Sequence, residues 1–183
     1  ACDPDNPKNR RSRPSVLIER VSKKGRTRVL VDSSPDLREQ LLRLRVDWLD
    51  GVLYTHDHAD HTHGIDDLRM VSYAMKRRID VWADTATRQS LEGRFDYCFK
   101  TQGANGYPPI LTMHEIDHAK PVVVDGAGGP IEALPIVQEH GAIISLGFRV
   151  ANLAYSPDVS GIPEASEPSF QGLDVWVVDA LRY

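Results

Sequence analysis

The sequence predicts an α+β domain in which β-sheets are covered by helices. Its 183 residues, 41% of them hydrophobic, can bury one substantial core and are too few for two domains of usual size. Along this length, many strand-like apolar runs are interspersed with a few helical segments. Composition fits a doubly wound parallel sheet equally well, so a motif has to separate the two architectures.

The first part of the chain predicts a hairpin, a helix and a buried strand. Gly25 completes a turn-forming Lys-Lys-Gly sequence between two strand-like runs. Ser34 is a suitable N-cap, with Pro35 at the first helical position and leucines at roughly helical spacing after it. The predicted elements are strands at 15–19 and 28–32, a helix at 35–44 and a strand at 51–54.

Strands and helices continue to alternate in the second part of the chain. Asp84 can cap a helix, and the glycines and prolines of residues 103–109 predict a loop. Strand-like runs dominate after that loop. The predicted elements are helices at 66–75 and 84–99 and strands at Ile79–Ala83, Val122–Val124, 131–137, Ile143–Val150, 153–155 and Val175–Val178.

Charge and composition restrict the class of substrate and the compartment. A net charge of −4 and a pI near 6.0 lack the basic footprint of proteins that bind long nucleic acids, which favours a small substrate. Only two cysteines, Cys2 and Cys98, fit a reducing compartment and predict a cytoplasmic protein. No apolar run approaches the roughly 20 residues that cross a bilayer, so we expect no membrane partner. The sequence leaves open whether the protein forms a homodimer.

A histidine-rich segment, residues 54–61, overlaps the end of the predicted strand at 51–54. Six consecutive positions hold three imidazoles and two carboxylates. Imidazole nitrogen and carboxylate oxygen suit zinc, manganese or iron, and the scarcity of thiols argues against a structural four-cysteine site. The segment therefore predicts an open, catalytic metal site. The alternative is a set of exposed polar loop residues or hydrogen-bonded histidines.

The spacing within this segment indicates two metals. Alternate residues of an extended chain point the same way, so His56 and His58 can bind one ion. Asp60 and His61, beyond the turn, can face a second ion. Neighbouring acids either hold the imidazoles or serve as surface acids and helix caps. These acids are Asp57, Asp66 and Asp67.

The pattern H-x-H-x-D-H after a strand resembles the signature of the metallo-β-lactamase fold superfamily. His140, in Val-Gln-Glu-His-Gly, is similar to the isolated third-motif histidine, and Asp158, in Tyr-Ser-Pro-Asp, is similar to the bridging aspartate. The resemblance implies a four-layer αββα sandwich with two mostly antiparallel or mixed sheets flanked by helices. It also implies that Asp158 bridges a first metal held by His56, His58 and His140 and a second held by Asp60 and His61.

Residues 64–69, Gly-Ile-Asp-Asp-Leu-Arg, resemble a phosphodiesterase branch of that superfamily that is associated with phosphonate breakdown and is similar to tRNase Z. This resemblance implies a phosphodiesterase that attacks a small nucleotide or cyclic ribose phosphate with a hydroxide shared by two metals. Asp60 would be the catalytic residue that orients the hydroxide. Arg69 could reach a phosphate, although a helix-surface ion pair is favoured, and His63 could line the pocket.

Three alternative functions stay open at this point. Hydrolysis of a carboxylic ester, thioester or lactam would use the same ligands. A non-catalytic nucleotide- or metal-binding module would keep the ligands without turnover. Processing of tRNA is disfavoured, because the sequence has no long basic insertion that could neutralise the RNA backbone.

The chain ends depart from the superfamily pattern. The late histidine ligand of the second metal has no counterpart after His140, so we expect it beyond Tyr183. The glycine-containing first strand of the branch is expected before Ala1, and the cysteine cluster that binds an extra zinc in some relatives is reduced to Cys2. We therefore predict a single domain, residues 1–183, that lacks a native N-terminal strand and a C-terminal segment. Its predicted cofactors are two divalent ions, zinc or manganese.

Overall fold

The structure, a computed structural model, describes residues 3–9, 11–101, 103 and 106–179. Within these ranges, ten strands form two five-stranded sheets. The first sheet contains, in spatial order, β1 (Val16–Ser22), β2 (Gly25–Val31), β3 (Gly51–Leu53), β4 (Ile79–Ala83) and β5 (Leu111–Glu115). The second contains β6 (Val122–Val124), β7 (Ile131–His140), β8 (Ile143–Val150), β9 (Leu153–Ser156) and β10 (Val175–Val178).

The first sheet is mixed, and its parallel part leads into the histidine-rich segment. β1 and β2 form an antiparallel hairpin, whereas the pairs β2–β3, β3–β4 and β4–β5 are parallel. All three residues of β3 are buried, which fits a parallel strand covered on both faces and explains its continuous apolar run. The carboxyl ends of β2, β3 and β4 therefore open at the same edge of the sheet.

The second sheet is antiparallel except for the pair β9–β10. β7 and β8 pair over a long register that runs from Leu134 opposite Arg149 to His140 opposite Ile143. Two residues connect these strands, and the first of them, Gly141, has a φ of +60°, which glycine adopts without steric cost. The turn consequently begins directly after the candidate ligand His140.

The α-helices are short. They are α1 (Leu37–Leu44), α2 (Ala59–Thr62), α3 (Leu68–Met75), α4 (Thr85–Arg94) and α5 (Asp96–Phe99), accompanied by 3-10 helices at Pro7–Asn9, Ile65–Asp67 and Glu164–Phe170. The last of these lies against β7, where the Ser166 hydroxyl donates a hydrogen bond to the Val137 carbonyl at 2.8 Å. Among the described residues, no helix has the length and apolar character needed to cross a membrane.

Two apolar cores separate the layers of the sandwich. Along β2, Leu30 packs with the helices, whereas Val29 and Val31 pack with the second sheet, because side chains alternate between the faces of a strand. The helix-side core includes Leu37 of α1, and the core between the sheets includes Phe148 of β8. This arrangement confirms the predicted two mixed sheets with helices and excludes a doubly wound parallel sheet.

Helix α1 begins two residues later than predicted. Its N-cap position is Asp36 rather than Ser34, and no side chain caps it. Ser34 instead belongs to a turn before the helix: its carbonyl accepts a hydrogen bond from the Leu37 amide at 2.9 Å, and its hydroxyl donates to Gln40 at 3.1 Å. The Ser-Pro pair therefore leads into the helix without starting it.

Two further differences from the predicted elements lie between β4 and β6. The predicted helix at 84–99 is divided into α4 and α5 at Phe95, whose φ of −127° and ψ of 38° are not helical. Asp84 caps α4 as predicted, because its carboxylate accepts a hydrogen bond from the Thr87 amide at 2.8 Å. Strand β5 is absent from the predicted elements and pairs in parallel with β4.

Candidate metal centre

The predicted ligands meet at one edge of the sandwich, where the two sheets come together. The loop after β3 is tied to the second sheet, because the Leu146 amide of β8 donates a hydrogen bond to the Thr55 carbonyl at 2.8 Å. Both sheets therefore supply ligands. They are His56 and His58 after β3, Asp60 and His61 in α2, His140 at the end of β7 and Asp158 after β9.

These six side chains form two groups that share Asp158. Within each group, all ligand atoms lie within 4.8 Å of one another. Oδ2 of Asp158 lies 3.6 Å from Nε2 of His56, 3.6 Å from Nε2 of His140 and 3.3 Å from Nε2 of His61. The groups are His56, His58, His140 and Asp158, and Asp60, His61 and Asp158. The structure thus brings together every residue that the sequence predicts as a ligand.

Two buried nitrogen atoms show that this centre fits metal ions. Nε2 of His56 and Nε2 of His61 are buried and have no hydrogen-bond partner among the described residues. A buried polar atom without a partner costs about 1–3 kcal/mol, and a metal ion in front of both atoms would remove that cost. The nitrogen and oxygen donors around them suit zinc or manganese.

The imidazoles and carboxylates of the centre shift one another's pKa values. Burial and the neighbouring imidazoles of His61 and His58 lower the pKa of His56 to about 3, so the ring is neutral near pH 7. Burial tends to lower the pKa of His61, but the carboxylates of Asp158 and Asp32 outweigh burial and raise it to about 10. The imidazole of His61, whose Nε2 lies 3.3 Å from Oδ2 of Asp158, in turn lowers the pKa of Asp158. A neutral imidazole and an ionised carboxylate are the forms that bind metals, so His56 and Asp158 have the required forms, whereas a bound ion would displace a proton from His61.

Asp32, at the end of β2, orients two of the imidazoles from behind. Its fully buried carboxylate accepts hydrogen bonds from Nδ1 of His61 at 2.7 Å and from the Thr55 hydroxyl at 2.8 Å. Because Thr55 donates its proton to Asp32, its oxygen must accept from Nδ1 of His56, 3.0 Å away. This network places a proton on Nδ1 of both rings, so Nε2 is the nitrogen of each ring that would bind an ion.

The acids that the sequence proposes for this orienting role lie elsewhere. Asp57 accepts a hydrogen bond from Ser90 of α4 at 2.6 Å, and Asp66 forms an ion pair with Arg69 at 2.7 Å. Sequence reasoning misses Asp32, which it assigns only to the end of a strand. The signal that could have found it is an aspartate directly after a buried strand that lies beside the histidine-bearing strand.

Arg69 and His63, the predicted substrate-binding residues, belong to neither ligand group. The guanidinium of Arg69 is held by Asp66 and lies 5.8 Å from the centre of the Tyr97 ring. His63 is exposed, and its ring centre lies 5.7 Å from that of Phe95. The ion pair of Arg69 matches the alternative favoured by the sequence, and a role of either residue in substrate binding stays a prediction.

Comparison with known proteins agrees with this fold and site. Residues 27–183 match the family described as "Beta-lactamase superfamily domain". The chain therefore belongs to the beta-lactamase superfamily, and it has the fold and the His/Asp site of a metallo-hydrolase. Its structure is similar to that of a new diphosphatase from the PhnP family, with 34% sequence identity and a TM-score of 0.81 over 97% of this chain. The metallo-β-lactamase fold protein YhfI from Bacillus subtilis, at 15% identity, has a TM-score of 0.62 over 90% of the chain.

The relatives extend beyond the length of this chain. An octanoyltransferase of Porphyromonas gingivalis (strain ATCC BAA-308 / W83) is 33% identical over 184 residues, which include 100% of this chain and 35% of that protein. The chain also covers 64% of the PhnP-family diphosphatase and 62% of YhfI. Cys2, the predicted remnant of an extra zinc site, lies outside the described residues.

Proposed function

We propose that this domain is a hydrolase that cleaves small phosphodiesters with two divalent metal ions, zinc or manganese. The observation that carries the proposal is the pair of His/Asp groups that share Asp158. Two bound ions lower the pKa of a shared water to near neutrality and stabilise the attacking and leaving oxygens of a displacement at phosphorus. The sharing of one carboxylate supports two adjacent ions in preference to two separate sites.

Each residue of the centre then has a defined task. The first ion would be held by His56, His58 and His140, the second by Asp60 and His61, and both by Asp158. The side chain of Asp60 is 44% exposed and its Oδ2 lies 3.9 Å from Nε2 of His61. Asp60 can therefore contact a substrate or water as well as an ion, and we assign it the catalytic role of orienting the attacking hydroxide.

A small phosphorus ester is the substrate class that the chain supports best. The net charge of −4 disfavours a long polyanion. The PhnP-family structure at 34% identity is a diphosphatase, which supports chemistry at phosphorus. Within this class we propose a small nucleotide or a cyclic ribose phosphate. The similarity to a diphosphatase makes a diphosphate linkage the second candidate, because the same metal pair can stabilise a phosphate leaving group.

The test combines metal content with hydrolysis of bis(p-nitrophenyl) phosphate by wild type and by Asp60→Ala. We expect two metals per wild-type chain, hydrolysis of the diester, and loss of activity in the variant. Glu39→Ala is the matched control, since this carboxylate lies on α1, is 76% exposed and, among the described residues, forms an ion pair only with Arg38 at 3.5 Å. The control should retain full activity.

A second set of substrates separates the proposed reaction from the alternatives. Nitrocefin and a thioester report on carboxylic hydrolysis, and a dinucleoside diphosphate reports on the second candidate. Cleavage of nitrocefin or the thioester without cleavage of either phosphorus substrate would refute the proposal. A metal-loaded protein that cleaves none of the four substrates would instead favour a binding module.

A further inference from the structure

A buried amide side chain crosses the second sheet from one ligand-bearing strand to another. Gln138 of β7 is 0% exposed, and its Nε2 donates a hydrogen bond to the hydroxyl of Ser156 at 2.7 Å. Ser156 ends β9, and β8 lies between β7 and β9 in the sheet. The side chain of Gln138 therefore passes over β8 to reach its partner.

Gly147 of β8 provides the space for this crossing. A Cβ atom at this position would lie 2.3 Å from Nε2 of Gln138 and 2.9 Å from the carbonyl oxygen of Tyr155. Any other residue would thus displace the amide or push the neighbouring strand away. The φ of Gly147 is not positive, so its backbone conformation does not itself require glycine. The requirement comes from the close approach alone.

The crossing is unfavourable for stability in one respect. Oε1 of Gln138 is buried and has no hydrogen-bond partner among the described residues. Such an atom costs about 1–3 kcal/mol, which is comparable to what the single hydrogen bond to Ser156 returns. An apolar side chain of similar size would avoid this cost, so the position is better explained by the geometry that the amide imposes than by stability.

The hydrogen bond between Gln138 and Ser156 joins two strands that each lead to a candidate metal ligand. Gln138 and His140 are two residues apart on β7 and share a face of the strand, since side chains alternate. Ser156 stands two residues before Asp158. On the far side of Asp158, the Glu139 amide bonds to the Gly161 carbonyl at 2.9 Å, so backbone contacts already fix that part of the loop. On the near side, between β9 and Asp158, the hydrogen bond from Gln138 to Ser156 fixes the chain; we call this contact the Gln138 bridge.

We propose that Gln138 is a positioning residue whose bridge to Ser156 sets the separation of His140 from Asp158, now 3.6 Å between Nε2 and Oδ2. The inference rests on the proposed function, because it takes both residues as metal ligands. His140 contributes to one ion only, whereas Asp158 contributes to both. A change in their separation therefore alters the first ion's coordination without removing any ligand.

The test uses Gln138→Met, which keeps the length of the side chain and removes the hydrogen bond. Metal-free wild type and variant are titrated with Co²⁺ alone, and its visible absorption reports coordination geometry as well as affinity. We expect the variant to retain two sites, to bind one Co²⁺ about 10-fold more weakly and to show a shifted spectrum. Thermal unfolding of the metal-free proteins shows whether both are folded.

Trp176→Phe is the matched control. Nε1 of Trp176 donates to the same Ser156 hydroxyl at 2.9 Å from β10, the strand on the other side of β9. This variant also removes one hydrogen bond from Ser156 but leaves the bridge to β7 intact. We expect its Co²⁺ affinity and spectrum to match those of wild type. An equal loss in both variants would assign the effect to Ser156 itself and overturn the positioning role.

The remaining outcomes are also decisive. A folded Gln138→Met protein with the wild-type affinity and spectrum would overturn the inference while leaving the metal centre in place. A wild type that binds no Co²⁺ would instead remove the proposed function and the inference with it. If Gln138→Met does not fold, Ser156→Ala tests the bridge from its other end by the same titration.

Discussion

Replacing Asp32 by asparagine changes one carboxylate oxygen into an amide nitrogen and leaves the size of the side chain nearly unchanged. Two hydrogen bonds end on Oδ2 of Asp32, from Nδ1 of His61 and from the hydroxyl of Thr55. If the amide nitrogen takes that place, His61 can keep a hydrogen bond only by moving its proton to Nε2. That proton would occupy the lone pair that faces the metal site.

The expected effect of Asp32→Asn follows from these contacts. A lost partner behind a metal-bound histidine typically weakens metal binding 10- to 100-fold, and we expect a loss of about that size. Bonds to a charged group contribute about 1 kcal/mol more than neutral ones, so two altered bonds should lower the free energy of unfolding by about 1–2 kcal/mol. Competition with a chromophoric chelator measures the affinity, and urea unfolding of the metal-free protein measures the stability.

Asp84→Asn is the matched control for this substitution. Asp84 is also a nearly buried carboxylate that follows a strand, but it caps α4 through the Thr87 amide and belongs to neither ligand group. Asparagine and aspartate are equally good N-caps, so metal affinity and stability should stay at wild-type values. Wild-type metal affinity in Asp32→Asn, with the control unchanged, would refute the reasoning on tautomers.

Three further predictions concern the same centre. Asp158→Ala removes the shared ligand, so we expect fewer than two metals per chain by elemental analysis; retention of two ions would contradict a bridging role. Ser90→Ala removes the 2.6 Å hydrogen bond to Asp57, which stands between two ligands, and should lower the free energy of unfolding by about 1 kcal/mol and weaken metal binding. Unchanged affinity would show that this hydrogen bond does not set the geometry of the ligands. Metal at about 100 times its Kd should stabilise the protein by about 2.7 kcal/mol over the chelator-treated form, and equal melting temperatures would argue against a preformed site.

The site could be predicted from the sequence to the extent that it is local. The ligands between His56 and His61 can be recognised from the density of histidines and aspartates in this short segment alone. His140 and Asp158 stand far away along the chain and are found through the resemblance. Asp32 is invisible to both approaches, because its role depends on the parallel pairing of β2 with β3 and on a left-handed φ of +62° that turns the chain after β2.

The secondary structure was predictable where apolar periodicity is strong. It was less predictable where contacts with distant parts of the chain determine the backbone conformation. β3 has an apolar run that matches its complete burial, and the apolar centre of β8, residues 146–148, is buried as well. β5 reads Leu-Thr-Met-His-Glu, which includes only one fully buried residue, Leu111, and follows two prolines. Its strand conformation is defined by pairing with β4, a contact that local sequence does not encode. The break at Phe95 likewise depends on context.

The origin of the ligands in both sheets determines when a metal can enter. A chain synthesised only as far as β6 carries His56, His58, Asp60 and His61 but neither His140 nor Asp158. Closing a loop of roughly 100 residues by an ion alone would carry a large entropic cost, so the sheets must dock before a complete site exists. A metal would therefore load onto an already folded sandwich, in contrast to small zinc domains that fold around their ion. The finished geometry and the ions present where folding ends would then select its identity.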